Sequence, residues 1–343
     1  MQPHIFILYD SIKNSIFVSQ VLTPFISQLE RNEHEFVYIV SFEPSSIDSV
    51  FLDHLPTHPR LAIKIIPRPR FWARVGLWLL SRKLRAALND FSTYTITARG
   101  PLAGYIALNA INLYCKKLTI QARGLAAQEY HYTHRISTGI RAWATALRFW
   151  QYESLERSVY GIRNSRTEIE AVSAALKEYL ISHYHANQYH TTIAACDIPQ
   201  AIPGHIKTAL RTTIRTQLGI DNATQVYCYN GSALPWQCPE KTIEYFCEQY
   251  AKNSNSFLLI LTRDSDQFKK HIHAASLSSD CYHVYSVDHT DIYRYLAACD
   301  VGILLREPHI LNWVSRPTKL LEYQAVGLEI AHNNTIGCLV EKN

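Results

Sequence analysis

Short apolar runs alternate with longer amphipathic segments along the first half of the chain. The apolar runs predict β-strands at 4–9, 36–42, 61–66, 94–98, 117–122 and 171–173. Apolar residues at helical spacing predict α-helices at 19–30, 74–91, 103–114, 138–160 and 174–183. Because strands separated by helices of this length form right-handed βαβ units, the pattern indicates a parallel sheet covered by helices.

The second half repeats this alternation after a weakly patterned stretch at 186–203, which contains Pro199 and Pro203. Its predicted strands are 225–229, 257–262, 282–286 and 301–305, and its predicted helices are 239–251, 265–275, 288–298 and 317–326. We therefore expect an α/β protein of two Rossmann-like domains, 1–200 and 201–343, that face each other across a cleft. Open parallel sheets bind ligands at the carboxyl ends of their strands, so this cleft is the expected site.

Composition narrows the class of protein. The 343 residues are 47% hydrophobic and 18% charged, which excludes a largely disordered chain. The apolar runs are too short to span a bilayer, and the N-terminus lacks a basic region followed by a cleavage site, so we expect a cytoplasmic protein. The eight cysteines include no C-x-x-C pair, and the histidine groups at 131–134 and 183–185 lack a ligand spacing. Neither a disulfide framework nor a metal site is therefore expected.

The positive charge is concentrated in the first half. Residues 1–200 carry 21 Lys and Arg against 15 Asp and Glu, whereas residues 201–343 carry 13 against 14. A basic half favours an anionic partner, such as a membrane surface or a phosphorylated acceptor. Segment 68–85 combines cations with Trp72 and Trp78, which fits either a helix packed on the sheet or one docked on anionic lipid. Nucleic-acid binding is not expected, since the basic excess is modest and no known module is present.

The stretch 298–327 carries the clearest chemistry. An apolar strand runs into a polar loop, and Pro317 is predicted at the first position of a helix that ends at Gly327. A helix N-terminus presents unbonded N–H groups and a partial positive charge, which suit a phosphate. Lys319 adds a cation there, and Glu322 on the same helix face can accept hydrogen bonds from a diol such as ribose. This pattern alone indicates an anionic ligand with hydroxyl groups.

The same stretch resembles the nucleotide-sugar domain of family-4-like glycosyltransferases with the GT-B fold. The resemblance is strongest in Ala-x-x-Asp-Val-Gly-Ile at 297–303 and Pro-Thr-Lys-x-x-Glu-Tyr-x-x-x-Gly at 317–327. Weaker similarities are distributed along the rest of the chain, at 10–21, 99–101, 123–129, 226–237, 258–262 and 284–288. The resemblance implies a retaining hexosyltransferase that moves a sugar from a nucleotide-diphosphate donor to an acceptor hydroxyl in glycan or glycolipid biosynthesis, without a metal or other cofactor.

The resemblance also assigns residues to two sites. Lys319 and Glu322 are the catalytic candidates: the first neutralises the departing diphosphate, and the second holds the ribose. The expected donor-binding residues are Gly231, Ser232, Thr262, Val287, Arg306, Glu307, Pro317 and Thr318. The expected acceptor or cleft residues are Asn14, Ser15, Arg99, Gly100, Arg123, Gly124 and Glu129. The expected partners are a nucleotide sugar, a glycan or lipid-linked acceptor, and the anionic inner face of a membrane.

Two departures from the family pattern leave alternatives open. Many members have a glutamate where this chain has Val314, so Arg306 or Glu307 would have to take its place. The sequence also ends at Asn343, soon after Gly337, so we expect a short C-terminal domain, either truncated or degenerate. The alternatives are a nucleotide-sugar epimerase of the same fold and a catalytically inactive nucleotide-sugar-binding subunit. The epimerase would require a cluster of carboxylate and histidine bases around the sugar, which the motifs do not show.

Overall fold

The computed structural model describes residues 2–14, 17–136, 138–194, 201–288 and 291–340. The chain divides into two compact units, Met1–Ala194 (domain 1) and Ala195–Asn343 (domain 2). Each unit contains a parallel β-sheet with helices in the connections, so the predicted α/β architecture is confirmed.

Strands and helices alternate through domain 1. The strands are β1 (Gln2–Leu8), β2 (Glu35–Glu43), β3 (Leu61–Pro67), β4 (Tyr94–Arg99), β5 (Cys115–Ala122), β6 (Thr167–Ala171) and β7 (Thr191–Ile193). The helices are α1 (Thr23–Arg31), α2 (Ser49–Asp53), α3 (Arg74–Leu88), α4 (Gly100–Ala110), α5 (Ala126–Thr133), α6 (Ile140–Tyr160) and α7 (Ala174–Tyr184), with a π-helical turn at Val18–Leu22 before α1.

The sheet of domain 1 has the order β3-β2-β1-β4-β5-β6-β7, and all its strand pairs are parallel. The chain runs outward from β1 to β3 and then crosses back to β4 on the other side of β1. The connections that follow β1 and β4 therefore turn in opposite directions. Such a switch point opens a crevice at the carboxyl ends of the two strands, where open α/β sheets bind ligands.

Domain 2 has the same construction with a smaller sheet. Its strands are β8 (Gln225–Asn230), β9 (Ser256–Leu261), β10 (Tyr282–Tyr285), β11 (Val301–Leu304) and β12 (Glu329–His332). Its helices are α8 (Gly204–Leu218), α9 (Pro239–Lys252), α10 (Ser265–Ala274), α11 (Ile292–Leu296), α12 (Ile310–Trp313), α13 (Thr318–Val326) and α14 (Gly337–Val340). The parallel order β10-β9-β8-β11-β12 places the switch point between β8 and β11.

A glycine in β11 sets the position of α13 over this switch point. A Cβ atom added to Gly302 would lie 2.4 Å from Cδ2 of Tyr323, so only glycine lets the buried tyrosine ring lie against the strand. The Tyr323 hydroxyl accepts a hydrogen bond from the N–H of Asn230 (3.3 Å) and donates one to the carbonyl of Ile303 (3.4 Å). One side chain of α13 thus bridges the ends of β8 and β11.

The predicted and observed elements differ mainly where remote residues stabilise a segment. The elements that were not predicted are helices α2, α5, α8, α12 and α14 and strands β7 and β12. Helix α8 has few apolar residues, and its fully buried Arg215 holds it to the sheet through Asp300 (2.8 Å). The predicted strand 171–173 is also displaced: β6 ends at Ala171, and the Ser173 hydroxyl instead caps α7 by accepting the N–H of Leu176.

Helix α3 has one face buried within domain 1 and apolar side chains on its exposed face. Its side chains Leu77, Leu80, Leu84 and Leu88 are buried, as expected of a helix packed on a sheet. Trp72, which the sequence pattern offers as a membrane contact, is buried beneath Arg148, whose guanidinium carbon lies 4.2 Å from the ring centroid. On the outer face, Val75, Trp78 and Leu79 are exposed. None of the described helices is both long and apolar enough to cross a membrane.

Candidate functional site

The loop that follows β8 begins with a glycine in an unusual conformation. Gly231 has a φ of +129°, and its N–H donates to the carbonyl of Leu261 at 2.9 Å. A Cβ atom at this position would lie 3.0 Å from Nζ of Lys319. The glycine is therefore needed both for the backbone conformation and for the close approach of a lysine.

Lys319 reaches this loop from the first turn of α13. Its side chain is only 6% exposed; Nζ donates to Oε1 of Gln237 (2.9 Å) and lies 3.9 Å from the ring centroid of Tyr229. Burial is the main cause that holds the pKa of Lys319 well below its usual range, and the positive charge of Arg306 lowers it further. Among the described residues Lys319 forms no ion pair.

Arg306 is the second buried cation of this site. It follows β11, its side chain is 6% exposed, and its Nε has no hydrogen-bond partner among the described residues. Asn333 fixes the backbone on both sides, since its Oδ1 accepts the N–H of Arg306 (3.2 Å) and its Nδ2 donates to the Arg306 carbonyl (2.7 Å). Burial lowers the pKa of Arg306. Two buried cations with lowered pKa values, one of them beside a glycine with a positive φ, form an arrangement that an anion would stabilise.

The start of α13 differs by one residue from the sequence prediction. Pro317 is the N-cap residue, with extended ψ, and the helix begins at Thr318. The end is as expected, because Gly327 has a φ of +67° and caps the helix. Glu322 is buried on the same helix, where its Oε2 accepts a short hydrogen bond from Nδ2 of Asn230. Oδ1 of this asparagine has no partner among the described atoms.

The other expected donor residues follow the carboxyl ends of strands β8 to β11. The Ser232 hydroxyl accepts a bond from Gln237 Nε2 (2.9 Å), and the buried Thr262 hydroxyl accepts the N–H of Asp264 (3.0 Å). Val287 follows β10; it is partly buried and packs against the hydrophobic core of domain 2. The carbonyl of Glu307 accepts a bond from Asn312 Nδ2 (2.8 Å). Val314, which stands where many family members have a glutamate, is buried after α12.

In domain 1, a cavity of about 460 Å³ lies at the carboxyl ends of β1, β4 and β5. Five of the seven expected acceptor residues line it: Arg99, Gly100, Arg123, Gly124 and Glu129. Asn14 is exposed in the turn after β1, and its carbonyl accepts the N–H of Phe17 (2.9 Å). Ser15 lies outside the described residues.

Sequence reasoning missed the polar residues that hold these side chains in place. Gln20 accepts hydrogen bonds from both Arg99 and Arg123, and Gln237 plays the same part for Lys319. Tyr130 and Tyr152, which line the domain 1 cavity, were also missed. Gln20 and Gln237 lie far along the chain from the cations they contact, so no local motif marks them.

The histidines of the group at 131–134 lie at the surface. His131 and His134 are exposed on α5 and just after it, and His134 stacks on Tyr130 with ring centroids 4.2 Å apart. Within the described ranges, no three His, Cys, Asp or Glu side chains are grouped so that they could hold a metal ion.

Comparison with known proteins gives similarity in structure but not in sequence. No family model matches the chain, and no curated protein is significantly similar in sequence. Sucrose-phosphate synthase from Thermosynechococcus elongatus is similar over 99% of this chain and 82% of its own, with 14% identity and a TM-score of 0.69. HepE from Anabaena, solved with UDP and glucose, is similar over 99% of this chain and 83% of its own, with 13% identity and a TM-score of 0.64.

WaaG, a glycosyltransferase involved in lipopolysaccharide biosynthesis, is also similar. The match covers 97% of this chain and 82% of WaaG, with 14% identity and a TM-score of 0.62. At these identities the likeness establishes architecture alone, and the two parallel sheets of the chain are consistent with it. The chain therefore has the two-domain α/β fold of the GT-B glycosyltransferases.

Proposed function

We propose that the protein is a glycosyltransferase that moves a sugar from a nucleotide diphosphate to an acceptor hydroxyl. One observation carries the proposal: Arg306 and Lys319 are each only 6% exposed, Lys319 approaches Gly231 at the switch point of domain 2, and the charge of Arg306 lowers the pKa of Lys319. Burying two like charges is costly unless an anion accompanies them. A diphosphate supplies two negative groups of the required size, and the GT-B fold and the UDP complex of HepE support this choice.

The arrangement suits the costly step of such a transfer. The bond between the anomeric carbon and the diphosphate oxygen breaks, and negative charge grows on the departing diphosphate. The acceptor hydroxyl oxygen bonds to the same carbon, and its proton passes to the departing diphosphate. Cations already in place around the leaving group stabilise this charge without reorganisation, which is usually the largest catalytic effect. Lys319, Arg306 and the first-turn N–H groups of α13 supply it here, and the reaction needs no metal. We further propose a hexosyl donor and retention of configuration.

Glu322 is proposed to position the donor. Its carboxylate is held by Asn230 at the end of β8, next to the glycine loop, where a ribose attached to the diphosphate would lie. A fixed carboxylate accepts hydrogen bonds from two neighbouring hydroxyls, so it orients the nucleotide and contributes through positioning. The expected donor residues Ser232, Thr262, Val287 and Glu307 keep this role as proposals.

Domain 1 is proposed to bind the acceptor, a glycan or a lipid-linked sugar, at an anionic membrane surface. Segments 68–88 and 135–152 contain nine Lys and Arg and no Asp or Glu. On α6, Trp143, Leu147 and Trp150 form an exposed stripe, with Trp143 69% and Trp150 63% exposed. Helix α6 meets the exposed side of α3 where Arg74 donates to Ser154 (2.9 Å). Exposed tryptophans among cations without acids suit the headgroup region of an anionic bilayer.

Nucleotide binding to matched variants tests the donor site. We expect UDP, measured by isothermal titration calorimetry, to bind Lys319→Ala and Arg306→Gln at least tenfold more weakly than the wild type. The control Lys269→Ala/Lys270→Ala removes two exposed cations from α10 of the same domain and should bind UDP normally. If the control loses as much affinity as the site variants, the effect is one of overall charge and the diphosphate assignment is wrong.

A second measurement separates the ribose role of Glu322 from a phosphate role. Glu322→Gln should weaken binding of UDP but leave the affinity for inorganic pyrophosphate unchanged.

Incubation with radiolabelled nucleotide sugars then distinguishes the possible activities. Transfer or slow hydrolysis supports a glycosyltransferase, formation of an epimer supports the epimerase, and binding without turnover supports an inactive binding subunit.

A further inference from the structure

The cavity of domain 1 lies where the topology of its sheet predicts a ligand. Tyr9 and Asp10 follow β1, Arg99 ends β4, and Arg123 follows β5, so the cavity opens at the switch point between β1 and β4. All of its lining residues belong to domain 1. Its chemistry can therefore be examined independently of the donor site in domain 2.

Two arginines are brought together on one side of this cavity. Nη2 of Arg99 and Nη2 of Arg123 donate to the same acceptor, Oε1 of Gln20, at 2.8 and 3.3 Å. Burial, and then the charge of Arg123, lowers the pKa of Arg99 to about 10. Among the described residues, Arg99 forms no ion pair, although Asp10 favours its charged form from a distance. The amide of Gln20 thus orients both guanidinium groups.

The backbone next to Arg99 adds a second anion-binding element. Helix α4 begins at Gly100, which has a φ of +82°, and Pro101 occupies its first turn. A Cβ atom added to Gly100 would meet nothing within 4 Å, so the space beside the start of the helix is open. The first-turn N–H groups of an eleven-residue helix carry a partial positive charge. Two guanidinium groups and a helix N-terminus together suit a phosphate or a carboxylate.

The aromatic residues that line the cavity suit a sugar ring. Tyr130 and Tyr152 have ring centroids 5.5 Å apart, and His134 stacks on Tyr130 at 4.2 Å, so the lining includes an aromatic cluster. Glu129 also faces the cavity, and its Oε1 lies 2.9 Å from the position that a Cβ of Gly124 would occupy. Burial of its carboxyl group, and then the charge of Asp10, raises the pKa of Glu129. A carboxyl group forms hydrogen bonds with the hydroxyls of a sugar.

We propose that this cavity selects an acceptor sugar that carries an acidic group, with the phosphate or carboxylate bound by Arg99, Arg123 and the start of α4. The hydroxyls of the sugar face Glu129, and its apolar face lies on Tyr130 and Tyr152. The assignment of the ligand as an acceptor rests on the proposed function, but the binding of an acidic sugar in domain 1 does not.

Calorimetric titrations at low salt test the proposal with defined probes. Glucose 6-phosphate, glucose 1-phosphate and glucuronate are compared with glucose and with inorganic phosphate. We expect at least one acidic sugar to bind ten times more tightly than glucose and than phosphate alone. Arg99→Gln/Arg123→Gln should remove this preference. The control Arg31→Gln/Arg163→Gln, which removes two exposed charges elsewhere in domain 1, should keep it.

The donor-site variants separate this inference from the proposed function. Lys319→Ala should bind the acidic sugar as tightly as the wild type, even though it loses UDP. If Lys319→Ala loses the acidic sugar and Arg99→Gln/Arg123→Gln keeps it, the anion was binding in domain 2 and the inference is overturned. Equal binding of glucose and the acidic sugars overturns it as well. Failure of UDP to bind any form of the protein would reject the proposed function and leave the domain 1 measurement intact.

Discussion

The buried carboxyl of Glu156 should make the stability of domain 1 depend on pH between about 4.5 and 8. Glu156 belongs to α6 and is fully buried, and it caps α5 by accepting the N–H groups of Ala126 (2.7 Å) and Ala127 (3.3 Å). The Tyr184 hydroxyl also donates to it (2.9 Å). Burial outweighs these hydrogen bonds and raises the pKa of Glu156 to about 8.

The sign of the effect follows from this raised pKa. The unfolded chain loses the proton near pH 4.5, whereas the folded protein keeps it until about pH 8. Between these values the folded state binds more protons, so stability falls as the pH rises. A difference of three to four pH units corresponds to about 5 kcal/mol at most, which is a large share of the 5–15 kcal/mol stability of an ordinary domain.

Glu156→Gln isolates this contribution. The carboxamide cannot ionise and keeps one oxygen for the N–H of Ala126, but its NH₂ group cannot accept from Ala127. We expect the variant to be about 1 kcal/mol less stable than the wild type at pH 5 and several kcal/mol more stable at pH 9. Urea unfolding is followed by tryptophan fluorescence in a Trp236→Phe/Trp313→Phe background, where the four remaining tryptophans all belong to domain 1. Parallel stability curves for the two proteins from pH 5 to 9 would refute the reasoning.

Three further predictions follow from the two domains. Gly231→Ala should lower the stability of domain 2 by about 1–3 kcal/mol, because alanine is strained at a φ of +129°. Calorimetry should also show weaker UDP binding. Wild-type affinity for UDP would mean that the glycine is not part of the binding site. Transfer activity should survive excess EDTA, whereas a loss that magnesium or manganese restores would mean that a metal neutralises the diphosphate. In co-sedimentation assays, the protein should bind phosphatidylglycerol vesicles more than phosphatidylcholine vesicles, and less so as salt rises. Vesicle binding should weaken more than UDP binding when glutamine replaces Arg70, Arg74, Arg82 and Arg85. If the wild-type protein does not bind anionic vesicles at low salt, α3 serves only to pack within domain 1.

Sequence patterns predicted the parts of the molecule that local physics determines. The apolar strands, the helix between Pro317 and Gly327 and the glycine loop after β8 follow from residues adjacent in the chain. The patterns failed where distant residues supply the stabilisation. Helix α5 depends on a carboxylate thirty residues later along the chain, and α8 is held by Asp300 of the loop before β11.

The same limit applies to the sites. The motif at 317–327 identified Lys319, but nothing in it indicated that Gln237 holds the ammonium group or that Arg306 lies close enough to lower its pKa. In domain 1 the Arg-Gly pairs at the strand ends were visible in the sequence, whereas their common acceptor, Gln20, lies 79 and 103 residues away. The topology of the sheet, rather than any local motif, brings these distant residues together.

Gly302 and Tyr323 restrict each other's evolution. Any side chain larger than hydrogen at 302 collides with the tyrosine ring, so the glycine cannot change first while the tyrosine remains. Shortening Tyr323 would make room, but it would also remove the hydroxyl that joins Asn230 to Ile303. Substitutions at the two positions should therefore be strongly epistatic: a larger residue at 302 is tolerated only after Tyr323 has been shortened, and shortening Tyr323 removes two hydrogen bonds.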